Sequence, residues 1–324
     1  MAKYLITGGA GFIGSHLVDA LVASGNQVVV LDDLSTGRHD NLRQHSGSPD
    51  VEFVLGSILN DALVDDVVRR VDVVLHLAAA VGVNLIVERP LESLATNIKG
   101  SEIVLEKCHK YGRKVLVTST SEIYGKNTSD ALNEEDDRIL GSPLKTRWSY
   151  SEAKAIEEVL AHAYWREKGL PTVIVRLFNT VGPRQVGHYG MVVPRLIDQA
   201  LRGAPLTVFG TGEQTRCFCH VDDVVAALLG LVGSEDAEGQ VFNVGSRSEI
   251  SIDALATRIR DRVGSTSEIV NIPYDEAYEA GFEDMQRRRP DTGKIERLLG
   301  WQPNKDLDSI IDDVAADLRS RPGS

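Results

Sequence analysis

The stretch Lys3-Tyr-Leu-Ile-Thr-Gly8-Gly-Ala-Gly11-Phe-Ile-Gly14-Ser-His-Leu-Val-Asp-Ala-Leu-Val-Ala-Ser24 decides the fold. Tyr4–Thr7 is a short apolar run of the kind that forms a buried strand, and Phe12–Ser24 carries a helical pattern. Glycines between them let the backbone turn sharply and come close to a pyrophosphate. The helix that follows offers unpaired N–H groups and the positive end of its dipole to the same anion. A second apolar run, Gln27–Leu31, leads into Asp32, 24 residues after Gly8. A carboxylate at this place accepts hydrogen bonds from an adenosine ribose and repels a 2′-phosphate. NAD is therefore expected over NADP; Asp33 adds to the repulsion and Arg38 works against it.

Working outward, strands are expected at Glu52–Leu55, Val73–His76, Lys114–Thr118 and Thr172–Leu177. Helices are expected near Ala62–Val71, Leu91–Lys110 and Tyr150–Lys168. This alternation predicts an α/β protein built on a doubly wound parallel Rossmann sheet. The strands read as continuous apolar runs because helices cover both faces. After Thr180 glycine and proline become frequent, Val241–Val244 returns to the sheet, and the chain ends in an amphipathic pattern near Leu307–Leu318. The expected division is a NAD-binding domain over 1–179 and 217–250, with a second, smaller α/β substrate domain over 180–216 and 251–324.

The bulk properties narrow the function classes. Lys and Arg number 35 against 47 Asp and Glu, a net charge of −12, which argues against a nucleic-acid footprint. Three cysteines, Cys108, Cys217 and Cys219, do not make a disulfide framework and fit a reducing cytoplasmic setting. Cys217-Phe-Cys219-His220 lacks the spacing of a common zinc site and reads as buried thiols, so no metal is expected. The opening Met-Ala-Lys-Tyr enters a strand directly and does not read as a signal peptide, and no apolar run is long enough to span a bilayer.

The chemistry lies further along. Tyr150 and Lys154 stand four apart at the start of a helix, so both side chains serve one ligand. An ammonium beside a phenol favours the phenolate, and the expectation is a Tyr150 pKa lowered towards neutrality. Such a base takes a hydroxyl proton while hydride leaves the same carbon. Thr120 ends the fifth strand, where ligands of open α/β sheets bind, and its hydroxyl can share the substrate's hydrogen bond. The alternative for Thr120 is a strand end that caps a turn.

Together Gly8-x-x-Gly11-x-x-Gly14, Thr120, Tyr150-x-x-x-Lys154, Asn179 and Arg288-Arg-Pro-Asp291 resemble the extended short-chain dehydrogenase family of sugar-nucleotide epimerases, dehydratases and decarboxylases. The resemblance covers nearly the whole chain. Dehydratases of the group carry Asp-Glu after the threonine; here the pair is Ser121-Glu122, which is similar to the UDP-glucuronate decarboxylases. Further likeness lies in Leu177–Arg184, Pro205–Arg216 and Gln286–Asp291. The resemblance implies NAD held by Gly8, Gly11, Phe12, Ile13, Gly14, Asp32, Arg38, Ser57 and Ile58 with Tyr150 and Lys154. It implies a UDP-sugar held by Ser121, Asn179, Val193, Arg216 and Arg288. Thr120, Glu122, Tyr150, Lys154 and Arg288 are the catalytic candidates it implies, and a homodimer paired through two helices is the expected assembly. Arg288 has a structural alternative as the ion-pair partner of Asp291 or Glu283.

Two places depart from the family. Gly56-Ser57 stands where many relatives carry an Asp that contacts the adenine, and His76-Leu-Ala-Ala-Ala80-Val-Gly-Val83 differs from the usual decarboxylase loop. The expected reaction is oxidation of UDP-glucuronate at carbon 4, loss of carbon dioxide from the resulting β-keto acid, and reduction to UDP-xylose, with some UDP-4-keto-pentose escaping. The rival readings are a UDP-sugar or UDP-uronate 4-epimerase and a catalytically silent NAD-binding protein.

Overall fold

The computed structural model describes residues 1–80, 89–145, 148–187, 191–277 and 285–321. The first half alternates as expected: β1 (Lys3–Thr7), α1 (Phe12–Ala23), β2 (Gln27–Asp32), β3 (Val51–Leu55), α2 (Asp61–Arg69), β4 (Val73–His76), α3 (Ser101–Tyr111), β5 (Lys114–Thr120), α4 (Ser149–Lys168) and β6 (Thr172–Leu177). The second half runs through β7 (Thr180–Val181), α5 (Val192–Leu201), β8 (Leu206–Phe209), β9 (Thr215–Cys217), β10 (Cys219–His220), α6 (Val221–Gly233) and β11 (Val241–Val244). It ends with β12 (Glu249–Ser251), α7 (Ile252–Val263), β13 (Ile269–Ile272), α8 (Gly293–Leu299) and α9 (Leu307–Ser320).

Seven strands form one sheet in the order β11-β6-β5-β4-β1-β2-β3, and every neighbouring pair is parallel. Consecutive strands cannot pair in parallel through a short turn, so each crossover carries a helix or a long connection. The strand order reverses between β1 and β4, and that reversal opens a crevice at the carboxyl ends of the strands. Alternation along β1 and β2 sends Ile6, Val28 and Val30 to one face, against α1 and α6. Leu5, Val29 and Leu31 go to the other face, against α2, α3 and α4.

The second lobe is built from small pieces: β7 with β10, β9 with β12, and β8 with β13. A separate cluster holds α5, α7 and α9 together through Leu196, Ile197, Leu255, Ile259, Ile311 and Val314. α8 sends Ile295 to the cluster under the main sheet.

One helix differs from the sequence expectation. Leu91–Lys110 reads as continuous, but Pro90–Leu94 passes through a π-helical turn, Ala95–Gly100, before α3 begins. Two side chains meet the wider turn. A Cβ on Gly100 would lie 2.4 Å from Ile58, so the helix presses on the segment after β3. Asn97, fully buried on the turn, accepts from Ala80 N at 2.7 Å and donates to Ala80 O at 3.2 Å. Such turns recur beside functional sites.

Candidate active site

A cleft of about 650 Å³ opens at the carboxyl ends of β1, β2, β4, β5 and β6 and runs into the second lobe. Its first wall is the turn from β1 into α1. Gly8 has φ +71°, and a Cβ there would lie 2.9 Å from Ala78 N. A Cβ on Gly14 would lie 2.3 Å from Gly8 O, so α1 could not approach the turn so closely. Gly8 N donates to Leu31 O at 2.8 Å and Gly11 N to Gly8 O at 3.1 Å, which fixes the turn. Gly11, Phe12, Ile13 and Gly14 form this wall, and the start of α1 carries no side-chain cap. A cradle of backbone N–H groups at a helix start fits a diphosphate.

Asp32 is buried beside it. Its Oδ2 accepts from Ala10 N at 2.9 Å and its Oδ1 from Leu34 N at 2.8 Å. Burial raises its pKa, with Asp33 adding to the rise, while the two backbone donors oppose it. Each carboxylate oxygen keeps a lone pair for a ribose hydroxyl. A Cβ on Gly37 would stand 3.0 Å from both oxygens, so glycine there leaves the carboxylate uncrowded. Of the outer cofactor candidates, Ile58 is on the cleft wall, whereas Arg38 and Ser57 are not among the lining residues. Arg38 is exposed and its N–H donates to Ala10 O at 3.0 Å, and Ser57 Oγ accepts from Leu59 N at 3.3 Å in a local turn.

The candidate catalytic side chains converge at the end of β5. Thr120 lines the cleft and its hydroxyl accepts from Glu122 N at 3.2 Å, so it caps the turn Ser121–Tyr124 as well as facing the ligand space. Ser151, next to Tyr150, donates to Glu122 O at 2.9 Å and ties the start of α4 to that turn. Tyr124 closes the turn, donating to Asn243 Oδ1 at 2.7 Å and accepting from Arg176 at 2.9 Å. Tyr150 and Lys154 both line the cleft.

The phenol departs from the sequence expectation. Its pKa is pushed up, first by burial and then by the carboxylates of Glu157 and Glu122. Burial is the first cause, and the next lies behind the lysine. Lys154 Nζ donates to Thr118 O at 2.9 Å and pairs with Glu157 Oε2 at 2.9 Å, so its charge is largely neutralised on the side away from the cleft. Sequence reasoning missed Glu157; its spacing of three from Lys154 on one helix was the available signal.

On the sugar side Arg288 donates to Glu122 Oε1 at 3.3 Å and to Asn179 Oδ1, while Asn179 Nδ2 donates to Cys217 O at 2.8 Å. Arg288, Glu122, Ser121, Asn179, Val193 and Arg216 all line the cleft, and Arg216 also donates to Thr215 O at 2.8 Å. Asp291 is occupied elsewhere, accepting from Gly293 N at 2.8 Å and from Asn133. Glu283, the other structural alternative for Arg288, lies outside the described residues. Arg184 and Arg195, which the sequence did not single out, also reach the wall. Arg184 is anchored to Asp19 at 2.7 Å and Arg195 to Thr207 O at 2.7 Å.

His76 is structural. Its ring lies between Thr7 Oγ1 at 2.7 Å and Ser101 Oγ at 2.8 Å, and burial pulls its pKa down to about 3. The loop after it is held at Ala80 by Asn97; Val81, Gly82 and Val83 lie outside the described residues. Cys108, Cys217 and Cys219 are buried thiols; burial pushes the thiol of Cys217 up to about 12.

The chain was compared with known proteins. It is 41% identical over 303 residues to a UDP-N-acetyl-alpha-D-glucosaminuronate decarboxylase of Bacillus cytotoxicus, covering 93% of each chain. It is 37% identical to UDP-glucuronic acid decarboxylase 1 of Xenopus tropicalis, covering 93% of this chain and 68% of that one. Among solved structures, UDP-glucuronic acid 4-epimerase from Bacillus cereus, in complex with UDP-glucuronic acid and NAD, superposes with a TM-score of 0.88 at 29% identity, covering 98% of this chain and 99% of that one. The model of one family matches residues 4–245, which takes in the glycine turn, Asp32, Thr120, Tyr150 and Lys154. With its dinucleotide cradle and its Thr-Tyr-Lys cleft, the chain belongs to the NAD dependent epimerase/dehydratase family.

Proposed function

We propose that this protein converts UDP-glucuronate to UDP-xylose and carbon dioxide. The observation that carries the reading is the cluster of Glu122, Arg288 and Asn179 lining the same cleft as Thr120, Tyr150 and Lys154. The likeness to two sugar-nucleotide decarboxylases supports it. Gly8 to Gly14 and Asp32 would hold the cofactor's diphosphate and ribose. NAD, when bound, accepts hydride from carbon 4 and later returns it to that carbon.

Tyr150 removes the proton of the 4-hydroxyl, with Thr120 holding the same oxygen and Lys154 orienting the phenol. The resulting 4-ketone lies β to the carboxylate. The bond between carbon 5 and the carboxyl carbon then breaks, its electron pair passes towards the 4-ketone, and carbon dioxide leaves. A proton is taken up at carbon 5, where Glu122 orients the sugar or a water and Arg288 balances the negative charge. Tyr150 returns its proton to the oxygen at carbon 4 as the ketone is reduced. The net change consumes one proton and releases one carbon dioxide.

The 4-epimerase reading draws on the similarity to the Bacillus cereus enzyme. It needs the keto-sugar to turn over in the cleft with its carboxylate intact. Running the reaction in deuterium oxide separates the two by mass spectrometry. Decarboxylation gives a UDP-pentose carrying one solvent deuterium at carbon 5. A UDP-hexuronate with no deuterium would overturn the proposal. The relative that acts on an N-acetylated uronate makes that substrate the second one to assay.

A further inference from the structure

Behind the catalytic pair lies a buried polar chain that the reaction itself does not require. Glu157 is fully buried on α4, one turn beyond Lys154, and a carboxylate in such a place is costly unless it is held. Its Oε2 takes the ion pair with Lys154 at 2.9 Å. Its Oε1 is buried and makes no hydrogen bond of good geometry. Burial raises the pKa of this carboxyl first of all, while Lys154 and then Ser101 on α3, which faces it, favour the charged form. The same Ser101 hydroxyl lies 2.8 Å from His76 Nε2, and His76 Nδ1 lies 2.7 Å from Thr7 Oγ1. β1, β4, α3 and α4 thus meet in one network that ends on the ammonium group of Lys154. The lysine's remaining contact is with Thr118 O at 2.9 Å.

From this geometry we infer that Glu157 is a positioning residue: set against the Ser101–His76–Thr7 chain, it fixes Lys154 and sets how strongly Lys154 can favour the phenolate of Tyr150. The inference rests on the reading of Tyr150 and Lys154 as the catalytic pair. Its electrostatics have one sign. A negative charge beside a phenol disfavours loss of its proton. The groups around the phenol are Glu122 from the turn after β5 and Lys154 and Glu157 from its own helix. His76 stands next to the lysine from β4 and is held neutral by burial. Glu158 is engaged by Arg176 at 2.8 Å. Removing the charge of Glu157 therefore makes Tyr150 ionise at lower pH, whereas a purely structural Glu157 leaves the phenol where it is.

The test is a titration of the NAD-loaded protein followed by the ultraviolet tyrosinate band. The Tyr150→Phe protein is subtracted to isolate this phenol among the eight tyrosines. Glu157→Gln should ionise Tyr150 at a pH lower than wild type by about half a unit or more, and Glu157→Asp should restore most of the wild-type midpoint. Ser101→Ala keeps the ion pair but removes the hydroxyl that favours the charged carboxyl. It should move the midpoint the same way by less, and it serves if Glu157→Gln does not fold. Identical curves for wild type and the folded variants, including no ionisation in any of them, overturn the inference. The titration needs no sugar, so it stands or falls separately from the identity of the substrate. With substrate present, kcat should show the same acid-side shift while KM changes little.

Discussion

Tyr150 carries the proton in the proposed reaction. Tyr150→Phe keeps the ring and its packing but removes the oxygen that moves the proton, so turnover should fall by about 1,000-fold or more. NAD and sugar-nucleotide affinity, measured by calorimetry, should stay within a few-fold of wild type. Activity close to wild type would mean that another group takes the proton. Asp32 offers a second test. Asp32→Asn keeps one acceptor oxygen for either Ala10 N or Leu34 N, sets its NH2 against the other N–H and removes the charge, so NAD binding should weaken and the gap to NADP should narrow. Equal affinity of the wild type for the two cofactors would remove Asp32 from its proposed role. At this scale the sequence carried the glycines, Asp32, Thr120, Tyr150 and Lys154 because their spacing is local. It did not carry Glu157, because a glutamate on a helix reads as solvent-facing until a fully buried lysine is seen beside it. The tyrosine's raised pKa was hidden for the same reason: it depends on burial and on carboxylates from two elements.

The elements were legible where their apolar runs were strong. β1 to β6 and β11 lie within a residue or two of the runs that announced them, since all but the edge strand β3 are largely buried. The π-turn at Ala95–Gly100 was not legible, because its contacts with Ile58 and with Ala80 come from parts of the chain distant in sequence. The seam between β1, β4 and α3 makes a pH-dependent prediction. In the unfolded chain His76 takes a proton near 6.5, and in the fold only at about 3. Between those values the unfolded state binds more protons, so the stability contributed by the neutral ring is full above 6.5 and is lost as the pH falls towards about 3. His16 and His220, also lowered by burial, act in the same direction. The thermal midpoint should drop across this window. His76→Gln should flatten the drop while costing about 2 kcal/mol at neutral pH through its imperfect hydrogen bonds. An unchanged acid slope in that variant would show that the sensitivity arises elsewhere.

Leu91 is 83% exposed, Val159 68% and Ile156 41%, on the stretch before α3 and on α4, an apolar surface that a second copy of the chain would cover. We propose a homodimer through these helices. Light scattering at micromolar concentration should give twice the 35.3 kDa chain mass, and Val159→Glu should give the monomer. A monomeric wild type would contradict this. Among the described residues no helix is long and apolar enough to cross a membrane. The sheet and the cofactor cradle were readable from one end of the chain, whereas the sugar side gathers residues from β5 to Arg288 that meet only in the fold. Its reaction is therefore the central claim. The most direct measurement is mass balance on UDP-glucuronate incubated with the NAD-loaded protein, with carbon dioxide and the nucleotide product quantified together. The expected result is carbon dioxide equal in amount to UDP-xylose plus a small share of UDP-4-keto-pentose, and a loss of about 100-fold or more in rate for Glu122→Gln. Formation of UDP-galacturonate without carbon dioxide would contradict it.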